Sequence, residues 1–185
     1  MELIYRLADV AELEEILAVQ SLSLRMLLRP SMDEDLLEAL IEDQAKRRSL
    51  QQELILVAVG NGQILGFVAC FVRLAQITGL YVHPDFVRQG IGSSLLVGIA
   101  QMFNARKYRS ITVYSSEYAI PFYEYHGFQI VRESQLILSR HERVTTALMR
   151  KTIRQITPEE EQRNKVVFGI LIVLIIVSLW ATFSS

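Results

Sequence analysis

Cysteine is nearly absent: Cys70 stands alone among 185 residues. A disulfide needs two, so no internal disulfide framework holds the chain, and the count fits a reducing compartment. Histidines number three and share no ligand-like spacing with Cys70, so no metal site is expected. Excess charge of one sign is also missing, since 19 Lys and Arg against 20 Asp and Glu leave a net charge of −1. Binding a phosphate backbone needs a basic surface, so nucleic acid is not an expected partner. Neither an internal repeat nor a low-complexity stretch interrupts the sequence. What is present is apolar: 51 % hydrophobic and 9 % aromatic residues exclude disorder. The length fits one ordinary domain with an appendage.

Charge disappears entirely after Lys165. Residues 166–183 form an apolar run broken only by Gly169, Ser178 and Thr182. As a helix, at about 1.5 Å per residue, it would extend about 27 Å, close to the ~30 Å hydrocarbon core of a bilayer. It has no polar face to show water, and Trp180 and Phe183 suit an interface. The expectation is a body at 1–156, a linker at 157–165 and one C-terminal transmembrane helix at 166–183. A terminal helix buried in the core is the alternative. Arg163 and Lys165 precede the run, Arg150, Lys151 and Arg154 lie further back, and nothing positive follows. That asymmetry predicts a single-pass, tail-anchored membrane protein with its body cytoplasmic. Met1 to Tyr5 lacks the basic-then-apolar pattern of a signal peptide. Nine extended linker residues reach only about 30 Å, which keeps the body near the membrane surface.

In the body, Leu3 to Leu7 reads as a strand. Asp9 and Glu12 form a capping-box signature ahead of Leu13, Ile16 and Leu17. Ser31 and Glu34 repeat it before a second helix that runs to about Arg48. Leu54 to Val59 and Ile64 to Arg73 are strands joined by the hairpin signal Gly60-Asn61-Gly62, with Cys70 a buried small residue. Ile77 to Val82 is the next strand and His83 to Gly90 a loop. From Gly92 onward, Leu95, Leu96, Ile99, Met102 and Phe103 fall at helical spacing. Ile111 to Tyr114 is a strand, and Ala119 to Tyr125 a short helix that Gly127 terminates. Phe128 to Arg132, Leu136 to Ser139 and Thr145 to Arg150 complete the strands. The predicted class is α/β (α+β), a mixed central sheet flanked by helices.

Two segments carry chemistry. In Val82-His83-Pro84-Asp85-Phe86-Val87-Arg88-Gln89-Gly90-Ile91-Gly92-Ser93 a strand ends, a glycine-bearing loop turns and a helix starts. Backbone N–H groups then point at one spot beside the positive end of a helix dipole, which suits a pyrophosphate. No Gly-Lys-Ser/Thr follows and no third glycine completes a dinucleotide fingerprint. Alone, the segment fits a plain strand-to-helix turn equally well. The second segment, Ser116 to Phe128, follows the next strand and contains Ala119-Ile120-Pro121-Phe122-Tyr123-Glu124-Tyr125-His126-Gly127-Phe128.

Together these segments resemble the GNAT superfamily of acyl-CoA-dependent N-acetyltransferases. Val82 to Ser93 is similar to its pyrophosphate loop and Ala119 to Phe128 to its second motif, and the likeness covers Leu3 to about Ile153. The resemblance implies acetyl-CoA as co-substrate, with no metal. It implies that the backbone of Tyr81 and Val82 pairs with the pantetheine arm. Backbone N–H groups of Arg88, Gln89, Gly90, Ile91, Gly92 and Ser93 would cradle the pyrophosphate. Ser116 takes the place of an asparagine that contacts the cofactor in many members. Tyr123 matches the tyrosine that protonates the departing thiolate, with a core aromatic as its alternative role.

Direct attack of an amine on a thioester needs a neutral amine and therefore a proton acceptor. Many members carry a glutamate on the fourth strand; here Gln76, Thr78 and Gly79 stand there. His83, whose ordinary pKa is about 6.5, and Glu117 are the nearest substitutes, with turn and helix-start roles as alternatives. Val87 occupies a position where the motif usually has Arg or Gln. The expected acceptor is an amine of a small molecule or protein, and the expected activity is acetyl transfer at the cytoplasmic membrane face. A catalytically silent acyl-CoA-binding or scaffold module anchored to a membrane is the alternative, and a longer acyl group is a third reading. The Ser21 to Pro30 connection, apolar with Arg25 and Arg29, fits an apolar acceptor, an acidic one or an anionic membrane surface, with a buried helix extension whose arginines reach out to water as the alternative.

Overall fold

The computed structural model describes residues 2–30, 32–48, 52–137 and 143–155, with 157, 159 and 162. Met1–Ile153 form one compact unit. The expected transmembrane helix at 166–183 and six of the nine residues of the expected linker lie outside the described residues. Among the described residues no helix is long and apolar enough to cross a membrane.

Seven strands form one sheet: β1 (Leu3–Leu7), β2 (Leu54–Gly60), β3 (Gln63–Phe71), β4 (Gln76–Val82), β5 (Ser110–Ser116), β6 (Gln129–Ile137) and β7 (Arg143–Thr152). Their spatial order is β1-β2-β3-β4-β5-β7-β6. All neighbours are antiparallel except β4 and β5. The helices are α1 (Leu13–Leu28), α2 (Glu34–Arg47), α3 (Ile91–Ala105) and α4 (Ile120–Tyr125). This is the mixed architecture the sequence predicts.

Helix α1 buries Ile16, Val19, Gln20, Leu24 and Leu28, a stripe at the 3.6-residue period. It covers one sheet face over Ile55, Val57, Phe67 and Ala69. Helix α3 buries Ile91, Leu95, Leu96, Ile99 and Phe103 against the opposite face, over Ala58, Val68 and Cys70. Strand β3 is therefore covered on both faces, which explains its unbroken apolar run from Ile64 to Cys70. Burial, with the Glu53 charge a smaller cause, pushes the Cys70 thiol up to about 12, so it stays protonated.

The Asp9–Glu12 capping box forms in full. The second helix start differs: Asp33, not Ser31, caps α2 by accepting from the Asp35 backbone N–H at 3.0 Å. The two strands expected at Phe128 to Arg132 and Leu136 to Ser139 meet in one strand, β6 (Gln129–Ile137), and residues 138 and 139 lie outside the described residues. The polar residues Glu133, Ser134 and Gln135 between them, which read as a turn, continue an exposed edge strand.

Candidate active site

The site begins where β4 and β5 part. Their parallel pairing consists of Gln76 with Thr112 and Ile77 with Val113, and ends there. At that point β4 carries a bulge: Ala69 of β3 pairs with Gly79 and Cys70 with Ile77, so Thr78 has no partner opposite. A bulge bends its strand and re-aims side chains. The gap opens into a cavity of about 1100 Å³. Thr78 to Tyr81, Val113 to Ser116, Tyr123, and residues of α1, α2, β6 and β7 line it.

Next to the gap lies the turn into α3. Arg88 and Gly90 both have left-handed backbones, with φ of 61° and 81°. Such reversals turn successive N–H groups to one side and make an anion-binding concavity. Ile91, Gly92 and Ser93 open α3, where the first-turn N–H groups have no carbonyl of their own helix to bond. A methyl on Gly92 would sit at ordinary contact distance from Leu80 and Phe122, which shows how closely this turn abuts β4 and α4. The Ser93 hydroxyl is 3.0 Å from His126 Nε2, which ties α3 to the end of α4.

Tyr123 is buried between Phe122 and Phe128, each with its ring centroid 5.3 Å away, and also lines the cavity. Burial raises its phenol well above the ordinary value, so it stays protonated and loaded as a donor. Tyr81 packs its ring on Phe67 at 5.3 Å, and burial raises its phenol too.

The predicted residues therefore fall into two groups. Tyr81, Ser116 and Tyr123 line the cavity, as does Glu117. Val82 and Arg88 to Ser93 form the adjoining turn. His83 lies outside both groups: its Nδ1 accepts from the Asp85 backbone N–H at 3.3 Å, its ring lies against Phe86, and it is not among the cavity-lining residues.

Sequence reasoning missed a buried polar cluster on the α1–α2 side of the gap. Arg48 donates from Nη1 to Glu53 Oε1 at 2.7 Å and to Thr78 Oγ1 at 3.3 Å, and from Nε to Gln20 Oε1 at 3.0 Å. The Thr78 hydroxyl in turn donates to Glu53. The Arg48 and Glu53 side chains are only 2 % and 3 % exposed, yet both residues line the cavity. The guanidinium lies over Phe67 and Tyr81, 5.3 and 6.0 Å from their ring centroids. Gly79 makes the room: a Cβ there would meet Arg48 Nη2 at 2.7 Å and the Tyr81 ring at 2.5 Å. An isolated glycine within a strand was the one available sign of a bulge or close approach. Among the described residues no cluster of His, Cys, Asp or Glu fits a metal ion.

A family model described as an acetyltransferase (GNAT) domain matches residues 18–153. The chain belongs to the GNAT acetyltransferase family. This GNAT domain is 29 % identical over 98 residues to the uncharacterized N-acetyltransferase YafP of Escherichia coli (strain K12). That match covers 53 % of the chain and only 61 % of YafP. Among solved structures it resembles a GCN5-related N-acetyltransferase from Rhodopseudomonas palustris, at TM-score 0.74 and 24 % identity over 82 % of this chain and 96 % of that one. The PaiA N-acetyltransferase of Thermoplasma acidophilum, solved with coenzyme A, aligns at TM-score 0.65 and 17 % identity, covering 82 % and 99 %. At these identities the likeness shows the GNAT fold.

Proposed function

We propose that this chain transfers the acetyl group of acetyl-CoA to a primary amine by direct attack, with both substrates bound together. The observation that carries the reading is the parting of β4 from β5 between an anion-binding turn and an open cavity, with Tyr123 on the cavity wall. The residues fit the cofactor. Arg88 to Ser93 present N–H groups for the diphosphate, and the Tyr81 and Val82 backbones lie beyond the last β4–β5 pair, where a pantetheine amide can pair with them. Ser116 contributes a contact from the end of β5. PaiA shares this fold and was solved with coenzyme A, which supports a cofactor of that kind here.

The thioester supplies an activated acetyl group, and the chain supplies positions and protons. Thr78 Oγ takes the proton leaving the ammonium as it passes its own to Glu53, which later releases it to water. A backbone N–H near Val82 stabilises the carbonyl oxygen as negative charge grows there. As the new C–N bond forms and the C–S bond breaks, Tyr123 donates its phenolic proton to the departing sulfur. The second nitrogen proton restores the phenol, leaving amide, free thiol and the starting side chain. Holding both reactants in line supplies much of the remaining acceleration.

The chain's place at the cytoplasmic face of a membrane belongs to the same proposal. Its support is the charge-free run at 166–183 with Arg163 and Lys165 before it. The full chain is expected in the membrane fraction after an alkaline carbonate wash, and a chain ending at Thr157 in the soluble fraction. Equal partitioning of the two would remove the anchor.

Thermal unfolding of the full chain tests the cofactor site. Acetyl-CoA at about 100 times its Kd adds about 2.7 kcal/mol and should raise Tm by about 5–11 °C. No shift at millimolar acetyl-CoA would sink the reading. A shift without turnover of any amine would favour the silent binding module.

A further inference from the structure

The cavity has two unlike ends. At its inner end are Thr78 and the Arg48–Glu53 pair, beside the parting strands. An apolar strip of its wall comes from four elements or their ends, Leu27 and Leu28 of α1, Met32 before α2 and Leu36 on it, Leu136 of β6 and Val144 of β7, with Ser134, Gln135 and Thr145 as polar neighbours. Leu28 is a buried member of the α1–α2 cluster, and Met32, Leu36, Leu136 and Val144 pack only partly buried against it. Leu27 is 45 % exposed, and Ile137, next to Leu136, is exposed as well. Apolar surface thus runs from inside the cavity outward.

The lining charge is largely cancelled in pairs. Arg48 is held by Glu53, Arg47 by Asp43 at 2.6 Å and Lys46 by Glu42 at 2.7 Å, while Glu117 and Arg143 add one charge of each sign to the lining. A polycation gains little from such a wall, whereas an apolar body removes water from surface the fold leaves half covered.

We infer that the acceptor is a primary amine carried on an extended apolar body. It enters head first, with its nitrogen at Thr78 and its apolar part along Leu27, Leu36 and Leu136. This inference rests on the transferase reading for its chemistry and on the cavity wall for its specificity.

The test uses the full chain, acetyl-CoA and the n-alkylamines from ethylamine to octylamine, with spermidine as the polycation. From butylamine to octylamine, kcat/KM is expected to rise about threefold per methylene, through KM and with kcat nearly constant. Leu36→Asp and, separately, Leu136→Gln should flatten the series through KM while leaving the acetyl-CoA Tm shift intact. A flat or falling series, or spermidine acetylated better than octylamine, would overturn the inference. Calorimetric titration of octylamine separates it from the transferase reading. Saturable binding without acetylation of any amine upholds the apolar site and overturns transfer. Absence of saturable binding overturns the apolar site, and an unchanged acetyl-CoA shift then leaves the transferase reading standing.

Discussion

Tyr123→Phe is expected to lower kcat about 10²- to 10⁴-fold, the range over which a positioned proton donor acts. Phenylalanine keeps the ring that packs on Phe122 and Phe128, so the fold and the cavity shape persist. The loss should therefore fall on kcat, with the KM for acetyl-CoA nearly unchanged, because the hydroxyl acts as charge develops on sulfur and not in the ground state. The pH profile carries the same signature. Burial raises the phenol above its ordinary value, so the donor stays loaded through the alkaline range. Wild-type kcat should show no alkaline fall from this group below about pH 10. Steady-state kinetics across pH, with urea unfolding as a control, checks both parts. Unchanged kcat would remove Tyr123 from the mechanism.

The Arg48–Glu53 pair carries the second large effect, and it falls on stability. Both side chains are almost wholly enclosed, so removing one charge leaves the other in the interior without its charge partner. Breaking a pair of this kind costs about 3–5 kcal/mol, a large part of the stability of any single domain. Glu53→Gln and Arg48→Met should each lower the unfolding free energy by that much, read from the urea midpoint and slope. The double substitution Arg48→Met/Glu53→Leu removes both charges and retains volume, and should recover most of the loss. A double-mutant cycle reads the coupling directly. Additive losses would mean that the two groups do not depend on each other. Activity of the recovered double variant is the more telling readout. If it is stable but inactive, the pair belongs to acceptor chemistry as well as to the fold.

How much of this was legible depended on the distance over which each signal acts. Local signals read well. The Asp9–Glu12 box, the helical spacing of Leu95 to Phe103 and the turn at Gly60 to Gly62 are each settled within a few residues, and all appear. The left-handed backbone of Gly127 and the burial of Tyr123 also follow from short motifs. Signals that need a partner far along the chain did not read. Arg48 meets Gln20 and Thr78 across 28 and 30 positions, and no spacing rule connects them. Glu53 lies just before β2, where a carboxylate looks like an ordinary surface residue. Edge strand β6 was misread for the opposite reason: its first five residues are exposed and only Ser134 and Leu136 are partly covered, so too little alternation reveals it.

The bulge at Thr78 has a consequence that concerns counting. Ile77 packs toward α3, and so do Leu80 and Val82, while Tyr81 packs toward α1 and α2. An odd-numbered position before Thr78 and even-numbered positions after it therefore share one face. The strand changes parity across that single residue, and the side chains stay correctly inside only because the residue is there. The opening in the sheet is thus set by the number of residues in β4 and not by which residues they are. Substitution at position 78 changes the chemistry of the gap but leaves the gap. Deletion of one residue is expected to restore the count, let β4 run on in phase beside β5 and narrow the gap. In this chain an open sheet and a continuous one then differ by one unit of length.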